Sequence, residues 1–196
     1  IGGPIAGHEA RWIGDRWLFW GRRSADGGNR YLAWQISPDG LTLGEGATEF
    51  DPDNGTPNTQ HIDQEGNLYV TGWNKYRIVK YSITGQKVWE YQKDSPPSIP
   101  SLVGARLTCI ETNKEGEVFI AGIIRADTPK GHIPVITKLS ASGTILWEHS
   151  FVLDDIPFAN PTKMAWVNES TLLISGQIYF DMDNNLYEFF IAAYND

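Results

Sequence analysis

Hydrophobic residues in this chain recur in short bursts of four to six, and no stretch sustains the 3.6-residue apolar period of an amphipathic helix. Four bursts align with one another, at 14–21, 64–72, 114–122 and 168–176. Each reads as a tight turn, a hydrophobic run and a glycine, as in Gln64-Glu65-Gly66-Asn67-Leu68-Tyr69-Val70-Thr71-Gly72. The closing glycines Gly21, Gly72, Gly122 and Gly176 are 51, 50 and 54 residues apart. A second anchor follows each of the first three bursts: Trp34-Gln35-Ile36-Ser37-Pro38-Asp39-Gly40, Val79-Lys80-Tyr81-Ser82-Ile83-Thr84-Gly85 and Thr137-Lys138-Leu139-Ser140-Ala141-Ser142-Gly143. In two of them a tryptophan, Trp89 or Trp147, stands four residues after the glycine. The unit is therefore strand, short turn, strand, longer connection, strand, short turn, strand, with Gly-containing turns supplying the positive φ of tight hairpins.

Within the second strand of each unit the apolar residues alternate with period two. Leu68, Val70 and Gly72 share one face, as do Trp17, Phe19 and Gly21, Val118, Ile120 and Gly122, and Leu172, Ile174 and Gly176. The intervening Leu18, Tyr69, Phe119 and Leu173 are apolar too, so both faces of these strands require cover. Four-stranded antiparallel sheets stacked around an axis supply it, and a repeat near 50 residues with four strands per unit predicts an all-β β-propeller. The recurrent glycine is expected to let neighbouring sheets approach. The expected blades are 8–50, 59–92, 106–151 and 163–196, in one domain, with the last lacking its outer strand. About four blades make either a complete small ring or part of a larger one. Ring closure is expected to draw on residues 1–7 for the missing strand, and an open ring would expose apolar blade faces that demand a partner.

The segments 80–89 and 138–147, together with Gly66-Asn67-Leu68-Tyr69-Val70-Thr71-Gly72, resemble the repeats of quinoprotein-like propellers and of bacterial seven-bladed-type propellers, in which a Gly-Asn-x-Tyr-x-x-Gly strand precedes a Gly-x-x-x-Trp strand. That resemblance implies a structural role for Trp89 and Trp147, docked between blades; the first unit departs from it, with Gly44 at the tryptophan position. Quinone-dependent dehydrogenases of this kind carry a vicinal cysteine pair, whereas this chain has the single Cys109. The turns at 82–85 and 140–143 also lack the aspartate of a sialidase Asp box.

Composition narrows the functional classes. With 24 acidic against 16 basic residues the net charge is −8, which argues against nucleic acid and against polybasic membrane-surface binding. No apolar run approaches the roughly 20 residues of a spanning helix, so membrane insertion is not expected. Ile1 in place of a methionine fits a processed, trimmed or partial chain, and no signal-peptide pattern opens it. One cysteine excludes an intrachain disulfide framework, and the tryptophan-rich repeats point to the envelope or exterior of a bacterium.

No nucleophile elbow, phosphate loop or dinucleotide fingerprint is present, so no catalytic residue, metal ligand or cofactor is assigned. Asp51-Pro52-Asp53-Asn54-Gly55 and Asp181-Met182-Asp183-Asn184-Asn185 resemble calcium loops but do not complete the pattern, and Asp154-Asp155 reads as a loop pair. His61 reads as a hydrogen-bonded structural histidine, and Cys109 as a small buried hydrophobe. The long connections, at 22–30, 47–60, 93–105, 125–134 and 153–163, are expected on one face of the disc, where binding usually resides. There Trp73, Lys75 and Arg77 on an outward hairpin with Tyr76, and Arg22 and Arg125 nearby, form the candidate ligand-binding set, since arginine and aromatics on a rim suit acidic side chains or a sugar. The expected function is a non-enzymatic binding module that contacts a protein, or a neighbouring copy of itself, through the long-loop face or exposed blade edges. The alternatives are part of a carbohydrate-active propeller hydrolase or lyase, and a structural subunit of a multichain assembly or filament.

Overall fold

The computed structural model describes residues 5–14, 16–25, 28–36, 42–49, 57–72, 75–93, 102–126, 132–150, 158–181 and 186–195. Among the described residues, fifteen strands build four antiparallel sheets, each a simple meander. The first holds β1 (Ile5–Ile13), β2 (Arg16–Ala25), β3 (Gly28–Ile36) and β4 (Thr42–Glu49). The second holds β5 (Pro57–Ile62), β6 (Leu68–Gly72), β7 (Tyr76–Tyr81) and β8 (Lys87–Lys93). The third holds β9 (Leu102–Thr112), β10 (Val118–Ala126), β11 (His132–Leu139) and β12 (Ile145–Ser150). The fourth has three strands, β13 (Phe158–Trp166), β14 (Thr171–Asp181) and β15 (Leu186–Asn195). The opening strands β1, β5, β9 and β13 touch one another in succession, which places them innermost. These sheets are the blades of a β-propeller whose ring is not closed. Ile5, Ala6 and Gly7 pair with Arg23, Arg22 and Gly21 inside the first blade, so they do not supply an outer strand to the fourth.

Burial follows the alternation read from the sequence. Odd and even positions of each second strand point to different neighbours, so every blade has a leading face toward the preceding blade and a trailing face toward the next. Leu68, Val70 and Val79 on the leading face of blade 2 pack against Leu18 of blade 1. Tyr69, Tyr76 and Ile78 on its trailing face pack against Leu107, Val118 and Ile120 of blade 3. Phe119, Ala121 and Ile136 of blade 3 then meet Met164, Leu172 and Ile174 of blade 4. Each such aliphatic burial contributes roughly 1.5–3 kcal/mol, and the seams between blades are the core.

The recurrent glycine has a cause other than the approach of neighbouring sheets. In every blade the innermost strand bulges opposite it, with register breaks at Gly7/Glu9, Pro57/Gln60, Leu107/Cys109 and Pro161/Lys163. A Cβ on Gly122 would stand 2.3 Å from the Arg106 carbonyl oxygen and 2.6 Å from Leu107 Cα, both backbone atoms of the same sheet. On Gly176 it would stand 2.2 Å from the Asn160 carbonyl oxygen. The glycine makes room for the bulged backbone of its own blade.

Candidate functional site

The short connections are built by one repeated device. Asp63 Oδ1 accepts the Glu65 and Asn67 amides at 2.9 and 2.8 Å, closing the turn between the first two strands of blade 2. Asn113 does the same for the Glu117 amide at 2.9 Å, and Asn168 for the Ser170 and Thr171 amides at 2.9 Å. Gly66, at φ 84°, completes the second blade's turn in a conformation open to glycine at little cost. Ser82 and Ser140 play the equivalent part at the outer turns, accepting the Gln86 and Thr144 amides. These capping residues stand just before the Glu-Gly and Thr-Gly pairs that mark the turns in the sequence.

Beneath the turns, blades 2 and 3 repeat a packed box. Lys80 Nζ lies 5.1 Å from the centre of the Tyr69 ring, and Lys138 Nζ lies 5.1 Å from that of Phe119. Each ammonium has a carboxylate beside it, Asp63 at 4.0 Å and Glu117 at 2.8 Å, and both lysines are buried. The tryptophan of the repeat closes the box: Trp89 stands 5.9 Å from Tyr69 and Trp147 6.1 Å from Phe119. Trp89 also crosses to blade 3, donating from Nε1 to the Ala141 carbonyl at 2.9 Å, and Trp147 stacks 4.9 Å from Tyr194 of blade 4. Trp89 and Trp147 are thus inter-blade tryptophans. The lysines carried no signal in the sequence beyond their repetition ahead of Ser82 and Ser140.

Side chains near the axis bind each blade to the next through backbone oxygens. Asn58 Nδ2 donates to the Leu107 carbonyl, and Thr108 Oγ1 to the Pro161 carbonyl at 2.5 Å. Both donors lie in the bulge of the innermost strand, and both acceptors are the residue just ahead of the bulge in the following blade. Thr71 Oγ1 reaches the same Leu107 oxygen at 3.3 Å, and the Tyr76 and Thr137 hydroxyls are hydrogen-bonded across the same seam.

His61 is a hydrogen-bonded structural histidine. Its Nε2 lies 3.1 Å from Thr112 Oγ1 in blade 3, and its pKa is pushed down to about 4, first by burial and then by the Arg11 guanidinium, with Asp63 opposing. The unfolded chain takes up this proton near pH 6.5 and the folded chain only near pH 4. The stabilising contribution is thus complete above about pH 6.5 and lost as pH falls toward 4. We expect about 3 kcal/mol of urea-measured stability to disappear over that interval from this group. His61→Gln should flatten that part of the pH profile; a variant with the wild-type profile would refute the assignment. Cys109 is buried, and burial raises its thiol pKa to about 11, which leaves it a core side chain rather than a nucleophile.

The described residues singled out for binding belong to three different blades. Trp73 lies outside the described residues. Lys75 is half-buried ahead of β7. Arg77 is 3% exposed and sits within the sheet, on the β7 face that also carries Val79 and Tyr81, with its Nε donating to Glu90 at 2.7 Å. Tyr76 is fully buried in the seam between blades 2 and 3 and is not on an outward hairpin. Arg22 belongs to β2, paired with Tyr31, and Arg125 is exposed near the end of β10, paired with His132. Strands β2 and β10 run further than the apolar pattern indicated, and β10 continues past buried Ile124 to exposed Arg125. The stretches 51–55, 154–155 and 182–185 lie outside the described residues. Among the described residues no three His, Cys, Asp or Glu side chains gather as a metal site. An apolar cleft of about 260 Å³ between blades 3 and 4, lined by Pro134, Ala159, Pro161, Ile174, Phe190 and Ala192, offers no charged group to orient a small ligand.

The surface with the clearest chemical character is the trailing face of blade 4. Register places Ala193 opposite Leu173 and Ile191 opposite Ser175, as Lys138 stands opposite Phe119 and Ile136 opposite Ala121. Ile136 is fully buried, whereas Ile191 is 74% exposed and Phe189, on the same face, 76%. At the other end of the row, the leading face of blade 1 shows Trp12 and Trp17, 45% and 42% exposed, with ring centres 5.4 Å apart.

Among solved structures, this fold is similar to the β-propeller domain of the Trilobed protease from Pyrococcus furiosus, a domain of open velcro topology. The TM-score is 0.57 at 10% identity, over 100% of this chain and 56% of that one. The C-terminal WD40 domain of Sif2 (TM-score 0.48, 11% identity, 84% of this chain and 42% of that) and the endo-arabinase from Bacteroides thetaiotaomicron (0.47, 12%, 95% and 73%) are also similar. This chain therefore spans little more than half of the first propeller and less than half of the second. No protein-family model matches the sequence, and no curated protein matches it significantly. At these identities the likeness is one of fold.

Proposed function

We propose that the chain is a non-enzymatic protein-interaction module that presents blade surfaces to another polypeptide. The observation that carries this reading is the exposed apolar trailing face of blade 4. The same positions in blades 2 and 3 are buried under protein, and a contiguous apolar sheet face of this kind characterises an interaction site rather than a solvated surface. The buried lysines and Arg77 are engaged by carboxylates of their own blades, and His61 is engaged across a seam.

A photo-activatable residue placed at Ile191 tests it in cells that make the protein. Covalent adducts with a polypeptide are expected at Ile191 and not at the exposed turn residue Gln64. Equal labelling at both positions, or none at Ile191, overturns the reading.

A further inference from the structure

We infer that the apolar cleft between blades 3 and 4 is a binding site for a small aromatic molecule without a hydroxyl group, a benzene ring bearing at most short alkyl groups. Such a ligand would rest on the leading face of blade 4, opposite the face proposed to meet a polypeptide, and is independent of that reading.

The preceding seam shows what a filled cleft of this kind holds. Tyr76 enters it from the trailing face of blade 2, fully buried, and its hydroxyl is hydrogen-bonded to that of Thr137 on the leading face of blade 3. Register identifies the counterparts one seam later. Ala192 stands opposite Ile174 as Thr137 stands opposite Ile120. Pro134 lies two residues ahead of Ile136, which pairs with Ala121, as Tyr76 lies two ahead of Ile78, which pairs with Thr71. The tyrosine and threonine of one seam are thus a proline and an alanine in the next. The same register position holds Tyr31 in blade 1, opposite Arg22, and Phe189 in blade 4, opposite Gln177. An aromatic ring therefore stands there in the three other described blades.

The walls correspond as well. Ala105, Leu107, Ile120, Ile124 and Val135 of blade 3 form one cluster with Tyr76. Blade 4 presents Ala159, Pro161, Ile174, Ile178 and Phe190 at these positions, and all five line the cleft. The cleft is the Tyr76 site with the ring and its hydroxyl partner removed, and about 260 Å³ stays open. An apolar cavity of about 150 Å³ holds benzene, so this one has room for a ring with a short alkyl substituent. Phe190, whose ring lies against Gly176, adds an aromatic wall. With Ala192 in place of Thr137, a ligand hydroxyl would lack the partner that the Tyr76 hydroxyl has, which selects against phenols.

Toluene is the probe, and the methyl resonances of Ile174 and Ala192 report on the cleft. Saturable shifts are expected at both, while Ile120 and Ile124 in the filled seam stay unmoved. Phenol should bind about tenfold more weakly than toluene. Ala192→Thr restores the hydroxyl partner and should remove most of that difference. Pro134→Tyr refills the cleft and should abolish binding of both compounds. Ala192→Leu narrows it from the opposite wall and should weaken toluene by about tenfold or more, which keeps the test decisive where Pro134→Tyr does not fold.

Absence of a saturable shift with toluene, or equal shifts in both seams, overturns the site. Toluene binding that survives Ala192→Leu and a folded Pro134→Tyr places the ring elsewhere and overturns it too. A phenol-to-toluene ratio unmoved by Ala192→Thr overturns the selection against hydroxyls.

Discussion

Gly122→Ala should lower the free energy of unfolding by about 4 kcal/mol, the range reserved for changes that force backbone to move. The added methyl would meet the Arg106 carbonyl oxygen at 2.3 Å and Leu107 Cα at 2.6 Å, and neither atom belongs to a side chain able to rotate away. Relief requires the β9 bulge to flatten. Flattening would shift Leu107, whose carbonyl accepts from Asn58 and Thr71, and would turn Thr108 away from Pro161. One methyl therefore disturbs the seams on both sides of blade 3. The neighbouring Ile120→Val, which trims a buried side chain without touching the bulge, should cost about 1 kcal/mol. Urea titration of the two variants separates the cases: a Gly122→Ala loss no larger than that of Ile120→Val would mean that the bulge yields and the glycine is not required.

Asp63→Ala should cost a similar amount, about 4 kcal/mol, for an electrostatic reason. The Asp63 carboxylate accepts the Glu65 and Asn67 amides on one oxygen, and the Asn67 amide group at 2.8 Å and the Tyr69 hydroxyl at 3.0 Å on the other. It is also the carboxylate beside buried Lys80. Alanine would leave a buried hydroxyl and a buried ammonium uncompensated and untie the turn. Asp63→Asn keeps an acceptor for the turn amides but not the charge, and should cost about half as much. In a Lys80→Met background the Asp63→Ala penalty should shrink by more than about 1 kcal/mol, since the charge needing compensation is gone. Strict additivity in this cycle would show that the two groups do not interact and would assign the whole cost to the turn.

The parts of this architecture that repeat in the sequence were legible there, and the parts that depend on what lies across a seam were not. Period-two alternation in Leu68–Gly72 and its three counterparts identified the second strands, and Gly-containing turns bounded them, because pleat and positive φ leave local marks. Arg77 was placed on a rim with its hairpin neighbours; the Glu90 carboxylate that helps to offset its burial lies on the adjacent strand. Lys80 and Lys138 were invisible for the same reason. The bulges had no local mark either: the glycine was visible, but the bulged backbone that presses on it sits on another strand. A polar strand end such as Arg125 passed for a loop because solvent, not packing, sets its composition. The candidate surface on blade 4 reads in the sequence like its buried counterpart, since Ile191 looks no different from Ile136. Exposure alone distinguishes them.

The seams have a further consequence. Since the seams on both sides of blade 3 exchange an apolar row and a donor from the same bulge position for the same carbonyl, a unit inserted there by tandem duplication finds both of its neighbours already fitted to it. Growth or shrinkage of the row calls for no new kind of contact.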